Sequence, residues 1–357
     1  MPEMTIGRIK PGYILEEDLQ TGLGNVLFKK GKMLTEHDLE IMHSFLIQKA
    51  KIEDMKTAAS KQDDDRKNVD NQEGVLEKTP FQEEYEAMFF LIQNTLNNIH
   101  ALPIPLIVIR QQFKKLIDYI KEYNILTFVP PKDQLENYLV HSSITIGLTS
   151  YQLAKWHGFP EKDWIPIGIA GLFHDIGNVK IDPALLQKKA KLTEEENAEV
   201  RKHTIEGYNL LKAVPGINEG VKLTALQHHE REDGSGYPLK LDASKIHPYA
   251  KVVAVADIYH AMSSNRFYKK ASSPYLVLEQ LLNDSFGKLD PAIVQTFIQK
   301  VTQFHNGTLV RLSNGAIGEI VFTDRSSLTL PWVKVNGEVI NLIQESHLHI
   351  EEVIKKG

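Results

Sequence analysis

Eight of the chain's 14 histidines fall between His141 and His260, and several stand at positions that helical spacing would otherwise give to apolar side chains. His174-Asp175 closes the apolar run "GIAGLF", His203 lies within "EVRKHTIEGYNLL", and His228-His229 precedes the loop "EREDGSGYP". Asp257 is embedded in "YAKVVAVADIYHAM", one turn from Val253 and Ala254, and His141 shares a helical face with Ile144 and Leu148. Leaving that many ionisable groups buried and unpaired would cost several kcal/mol each, against a net domain stability of about 5–15 kcal/mol. They must be compensated by one another or by something bound.

A metal cluster is the economical compensation. Five imidazoles and two carboxylates exceed what one ion can use; they suit two ions about 3.5–4 Å apart, with one carboxylate between them. The chain has no cysteine, and an all-nitrogen and oxygen donor set favours iron or manganese over a thiolate zinc site. Neighbouring residues on a helix diverge by roughly 100°, so His174 and Asp175, or His228 and His229, can serve different ions. Such a pair of ions clamps a phosphodiester and acidifies a water between them.

The elements that must carry these residues are mostly helices. "LVHSSITIGLTSYQLAKWHG" stops at Gly158, "WIPIGIAGLFHDIG" opens near Pro166 and stops at Gly177, and "LTEEENAEVRKHTIEGYNLL" starts from a Thr193–Glu196 capping box. Ser273-Pro274 and Asp290-Pro291 start two more. Residues 133–302 thus form a helical catalytic domain, and residues 81–132 a helical connector whose 81–125 stretch is a candidate homodimer surface. Residues 56–80 carry mixed charge and almost no large apolar side chains, which reads as a linker.

Both ends differ in character. Residues 1–55 read as a small α/β module, with short strands in "GYILEEDL" and "GNVLFKKG". A second His-Asp pair there, His37-Asp38, has a sufficient local cause, since Thr35 and Asp38 form a capping box. Residues 303–357 alternate in the manner of antiparallel strands, with hairpin turns at Asn314-Gly315 and Asn336-Gly337. The fold class expected is mainly α, with a small β-containing module at each end.

A net charge of -5 argues against DNA or RNA as a partner. No run approaches the ~18 apolar residues of a spanning helix, and "MPEMTIGRIK" lacks the apolar core of a signal peptide. A cytoplasmic protein without membrane attachment is the expectation.

The ordered set "HDIG", His203 behind "LTEEE", "HHEREDGSGYP" and "VADIYHAMSSNRFYKK" resembles the HD-GYP family of HD-superfamily phosphohydrolases, over about half the chain. The "HHExxDGxGYP" string is highly specific; "HD" alone is not. The resemblance implies an HD-type helical bundle hydrolysing cyclic di-GMP to linear pGpG, GMP or both through a hydroxide bridging two metal ions. It implies metal ligation by His141, His174, Asp175, His203, His228, His229 and Asp257, with Asp175 as the bridging carboxylate. Tyr237, in the Gly236-Tyr237-Pro238 turn, would stand near the substrate, and Arg266 and Lys269 would meet its phosphates and guanines.

Three positions depart from the family pattern. Asn178 occupies the catalytic lysine position of "HDIGK" and cannot neutralise developing negative charge, with Lys180 only two residues on. Asn137 stands where three-metal members place a glutamate, with Glu136 about 100° away on a helix, so two ions are expected. His260 replaces a carboxylate in "DxYDA" and reads as a surface histidine or one lying behind the ligands. The readings are therefore an active cyclic di-GMP phosphodiesterase, a weak or inactive cyclic-dinucleotide receptor, or an HD-type hydrolase of another cyclic nucleotide.

Overall fold

Thr79 and Gln82 cap each other reciprocally, and with Pro80 in the first turn they start helix α1 (Pro80–Asn97) at the last residues of the expected linker. The structure, a computed structural model, describes residues 3–20, 26–35, 38–39, 42, 47, 49–53, 78–130, 137–263, 273–302, 307–324 and 327–354. Phe81, Tyr85, Met88 and Ile92 recur at helical spacing and bury one face of α1. Helix α2 (Leu106–Asp118) packs against it and buries Ile109, Phe113 and Leu116.

Helix α3 (Tyr138–His157) is buried nearly all round and stops at Gly158, whose φ of 85° is the left-handed cap that glycine adopts freely. Helix α4 (Glu161–Phe173) packs along it. It starts earlier than expected, with Pro166 inside rather than opening it. Glu161 and Asp163 favour the N-terminus through the helix dipole, and so early a proline forfeits little of the hydrogen-bond ladder.

A 3-10 turn (Ile176–Lys180) and helix α5 (Pro183–Leu186) lead to α6 (Glu194–Arg201) and α7 (His203–Lys212). One continuous helix was expected from Thr193. The Thr193–Glu196 capping box is present, but the helix breaks at Lys202. The reason is unequal burial: α6 buries no residue, whereas α7 buries His203, Thr204, Gly207 and Leu211. Only α7 is held by the core. Helices α8 (Glu219–Gln227), α9 (Pro248–Ser263), α10 (Pro274–Asp284) and α11 (Pro291–Val301) complete this part.

Residues 78–303 make one compact unit. The stretch 81–132, expected as a separate connector, therefore belongs to the helical unit, because α1 and α2 bury their apolar faces inside it.

The second unit comprises residues 1–77 and 304–357, so the two terminal modules expected as separate share one core. Its sheets are β1-β5-β2 (Glu3–Thr5, Lys49–Glu53, Ile14–Leu15) and the pair β3-β4 (Leu19–Gln20, Val26–Phe28). The third, β10-β6-β7-β8-β9, spans Ile350–Val353, Leu309–Leu312, Ile317–Phe322, Trp332–Val335 and Glu338–Asn341. Sheets this short cannot enclose their own apolar faces; Leu15, Leu27, Phe28 and Ile52 pack in one cluster with Leu309, Ile317 and Ile354. The β8–β9 turn has positive φ at Asn336 (50°) and Gly337 (94°), the turn its Asn-Gly sequence announced. Thr35 and Asp38 cap each other as expected, and Lys32 adds an ion pair at 3.1 Å; His37 lies outside the described residues. No described helix is long and apolar enough to cross a membrane.

Candidate metal centre

Three of the expected ligands sit where a helix ends. His174 caps the C-terminus of α4, His228 caps that of α8, and His203 follows the break after α6. Carbonyls in the last turn of a helix are open to a further donor, and each imidazole reaches back to one or two of them. His174 Nδ1 meets Gly171 O at 2.7 Å, and His203 Nδ1 meets Val200 O at 2.7 Å. His228 Nδ1 lies 3.1 Å from Thr224 O and 3.2 Å from Ala225 O. A carbonyl accepts only, so Nδ1 carries a proton and Nε2 is the nitrogen turned toward Asp175 and the metal site.

Those Nε2 atoms converge on Asp175. Its Oδ1 lies 3.2 Å from His203 Nε2 and 3.5 Å from His228 Nε2, while Oδ2 lies 3.5 Å from His174 Nε2. His174 Nε2 is also 3.8 Å from Asp257 Oδ1. Ligand atoms of Asp175, His203, His228 and His229 all fall within 4.8 Å of one another. His141 stands beside Tyr85 and Phe89 and is outside that group of four. Its Nε2, like that of His174, is buried without a hydrogen-bond partner. Two orphaned imidazole nitrogens in one domain are what a donor set arranged for bound cations leaves when read as protein alone. The donor set thus fits metal ions.

The electrostatics agree. Burial alone would raise the Asp175 carboxyl, but His174 and hydrogen bonds from His203 and His228 outweigh it and hold the group well below the usual carboxylate range. Burial lowers His228 and lowers His229 strongly, keeping them neutral. In His203 the Asp175 carboxylate outweighs burial and raises the ring.

Two glycines set the backbone around these groups. A Cβ on Gly177 would collide with His203 O and Gly207 N, so the turn after Asp175 can lie against α7 only with glycine there. A Cβ on Gly236 would run into the backbone of Glu230 and Arg231. Glu230, 2% exposed, pins the same loop by accepting from Leu239 N (2.6 Å) and Leu241 N (2.9 Å). Tyr237 stacks on His229 with ring centroids 4.6 Å apart, and the Arg201 guanidinium lies 4.7 Å from the Tyr237 centroid.

Asn178 is buried in the 3-10 turn, close behind Asp175. Lys180 does not stand in for it; its Nζ is 3.1 Å from His100 Nδ1. His260 is not a surface residue: it is buried, 2.8 Å from Thr149 Oγ1, and burial pushes its pKa down to about 3. It lies on α9, the helix of Asp257, and after burial the neighbouring His174 adds to the downward shift. Asn137 is hydrogen-bonded to Gln93 of α1 at 2.9 Å. Glu136, Arg266 and Lys269 lie outside the described residues.

The sequence reading missed Tyr85, Phe89, Arg201 and Glu230. Glu230 lies inside the "HHEREDGSGYP" string and was open to notice. Tyr85 and Phe89 were hidden in an ordinary apolar stripe.

Residues 132–293 match the family described as HD domain. The chain is 33% identical over 200 residues to a cyclic di-GMP phosphodiesterase of Pseudomonas aeruginosa, covering 56% of this chain and 48% of that one. It is 37% identical over 164 residues to a cyclic di-GMP phosphodiesterase response regulator of Xanthomonas campestris, covering 45% and 42%. It is 27% identical over 220 residues to a 3'3'-cGAMP-specific phosphodiesterase of Vibrio cholerae, covering 61% and 40%. The chain spans less than half the length of each of these relatives. The matched residues 132–293 hold His174-Asp175 and the "HHEREDGSGYP" string.

Proposed function

We propose that this chain is a metal-dependent phosphodiesterase that opens cyclic di-GMP to linear pGpG, GMP or both. The observation that carries the reading is the Asp175 carboxylate, which offers one oxygen to His203 and His228 and the other to His174. His141, His174, Asp175, His203, His228, His229 and Asp257 would hold two divalent ions, iron or manganese by their nitrogen and oxygen donors. Asn137, paired with the neutral Gln93 amide, adds no carboxylate for a third. When bound, two such ions supply Lewis acidity toward a phosphodiester and acidify water at neutral pH.

The side chains do the rest. The carbonyl-bound histidines present fixed donors, and Asp175 stays ionised between them. Tyr237, packed between His229 and Arg201, forms the pocket wall rather than a free stacking surface for guanine. Arg266 and Lys269 would contact the phosphates and guanines. Self-association would use the outer faces of α1 and α2, where Phe90, Ile107 and Val108 are exposed.

Asn178 favours a second reading, a slow or silent receptor for a cyclic dinucleotide that signals through the terminal unit. A developing anion there meets an amide instead of an ammonium, and removing one such stabilising donor commonly costs about 100–1,000-fold in rate. The test is to assay native and Asn178→Lys protein, loaded with manganese or iron, against cyclic di-GMP and 3'3'-cGAMP. Turnover of cyclic di-GMP by the native chain upholds the enzyme. Tight binding without turnover, converted to turnover by lysine, makes it a receptor. Preference for the mixed dinucleotide moves the substrate, and failure to bind either overturns the reading.

A further inference from the structure

We propose that Tyr85, on helix α1 and outside the matched HD domain, is a positioning residue for the metal centre. It holds His141 with Nε2 free to ligate; this rests on the ligand set assigned under the proposed function.

His174, His203 and His228 take their orientation from carbonyls of the preceding turn. His141 lies in the first turn of α3, where the spare backbone groups are N–H donors, not acceptors. Its own N–H already bonds Asn137 O at 3.1 Å. An imidazole that ligates through Nε2 carries its proton on Nδ1, and the partner of His141 Nδ1 is a side chain from another helix and not a carbonyl of its own turn. Tyr85 Oη lies 3.0 Å from His141 Nδ1, and a hydroxyl can accept there while Nε2 ligates.

The contact is held on several sides. Phe89, one turn along α1, stacks on the His141 ring with centroids 4.7 Å apart. Tyr85 is 1% exposed, so water does not compete for its hydroxyl. Phe81 and Phe128 flank its ring with centroids at 6.1 and 5.2 Å. His141 Nε2, on the far side of the imidazole from Tyr85, is the buried atom without a protein partner. Helix α1 therefore completes a centre whose other ligands come from α3 onward, and losing its hydroxyl weakens one ion position and not the other.

The test is anaerobic titration of the metal-free full chain with Mn2+, counting ions and reading each affinity, for native, Tyr85→Phe and Phe81→Leu proteins. Tyr85→Phe keeps the ring and its packing, and loses only the acceptor. It should bind one ion at native affinity and the other roughly 10–100-fold more weakly, the usual cost of removing a partner behind a ligand. Phe81→Leu disturbs the same aromatic cluster but spares the hydroxyl, and should leave both affinities near native. Two ions bound by Tyr85→Phe as tightly as by native protein would overturn the inference, as would equal weakening by Phe81→Leu. Native protein that takes up less than one ion overturns the site assignment itself, a failure visible before any variant is read.

Discussion

His228 and His141 are both buried imidazoles, yet they come by their geometry in opposite ways. His228 closes a helix and finds its acceptors in the preceding turn, at Thr224 and Ala225. His141 opens a helix and borrows its partner from Tyr85, 56 residues away in sequence. A ligand at a helix C-terminus is oriented wherever its helix folds. A ligand at an N-terminus is oriented only when a second element docks. On the proposed ligand set, one part of the centre would be built into local chain geometry and one would report on the position of α1.

The hardest way to break that contrast is to remove one ligand of each kind. His228→Ala, which strips Asp175 Oδ1 of an imidazole and opens a cavity at a fully buried position, should weaken Mn2+ uptake by more than ~100-fold, beyond the loss typical of outer partners. His141→Ala should leave about one tight ion per chain where two bind natively. Metal counts after desalting distinguish them; equal loss from both variants would erase the contrast.

The same contrast explains what was legible in the sequence. The candidate ligands could be singled out because each stands out locally: His174-Asp175 behind an apolar run, His228-His229 ahead of a glycine loop. So could the Thr193 capping box and the Asn336-Gly337 turn, which depend on a few neighbouring residues. The break at Lys202 could not, because it reflects that α7 is buried and α6 is not. Nor could the role of Tyr85, whose spacing with Phe81 and Met88 says only that one face of α1 is apolar. The joining of the two terminal segments was hidden for a similar reason, since nothing in Ile52 or Leu309 names the other as its neighbour.

A smaller effect, in the metal-free protein, sharpens the electrostatic side. Burial lowers His260 from its usual 6.5 to about 3, and lowers His228 and His229 as well. Between those limits the unfolded chain binds protons that the folded chain refuses, so stability is full above pH 6.5 and falls as pH drops toward 3. The slope is up to about 1.4 kcal/mol per pH unit for each such histidine. His203, raised by Asp175, acts in another window: what it adds is fully present below pH 6.5 and is lost as pH rises above it. Urea unfolding at pH 7, 6 and 5 should show the loss toward low pH, and His260→Asn should make the slope shallower by about one proton. A native profile that is flat or rises toward pH 5 would show that these rings are not held neutral.

Asp175, whose two oxygens face different histidines, would join the two metal positions. The most direct test is electron paramagnetic resonance of Mn2+-titrated protein, native against Asp175→Asn. The native chain should bind about two ions and develop the exchange-coupled signal of a bridged pair. The variant should lose the coupling and most of the uptake. Two uncoupled ions in native protein, or uptake that Asp175→Asn leaves intact, would contradict the account.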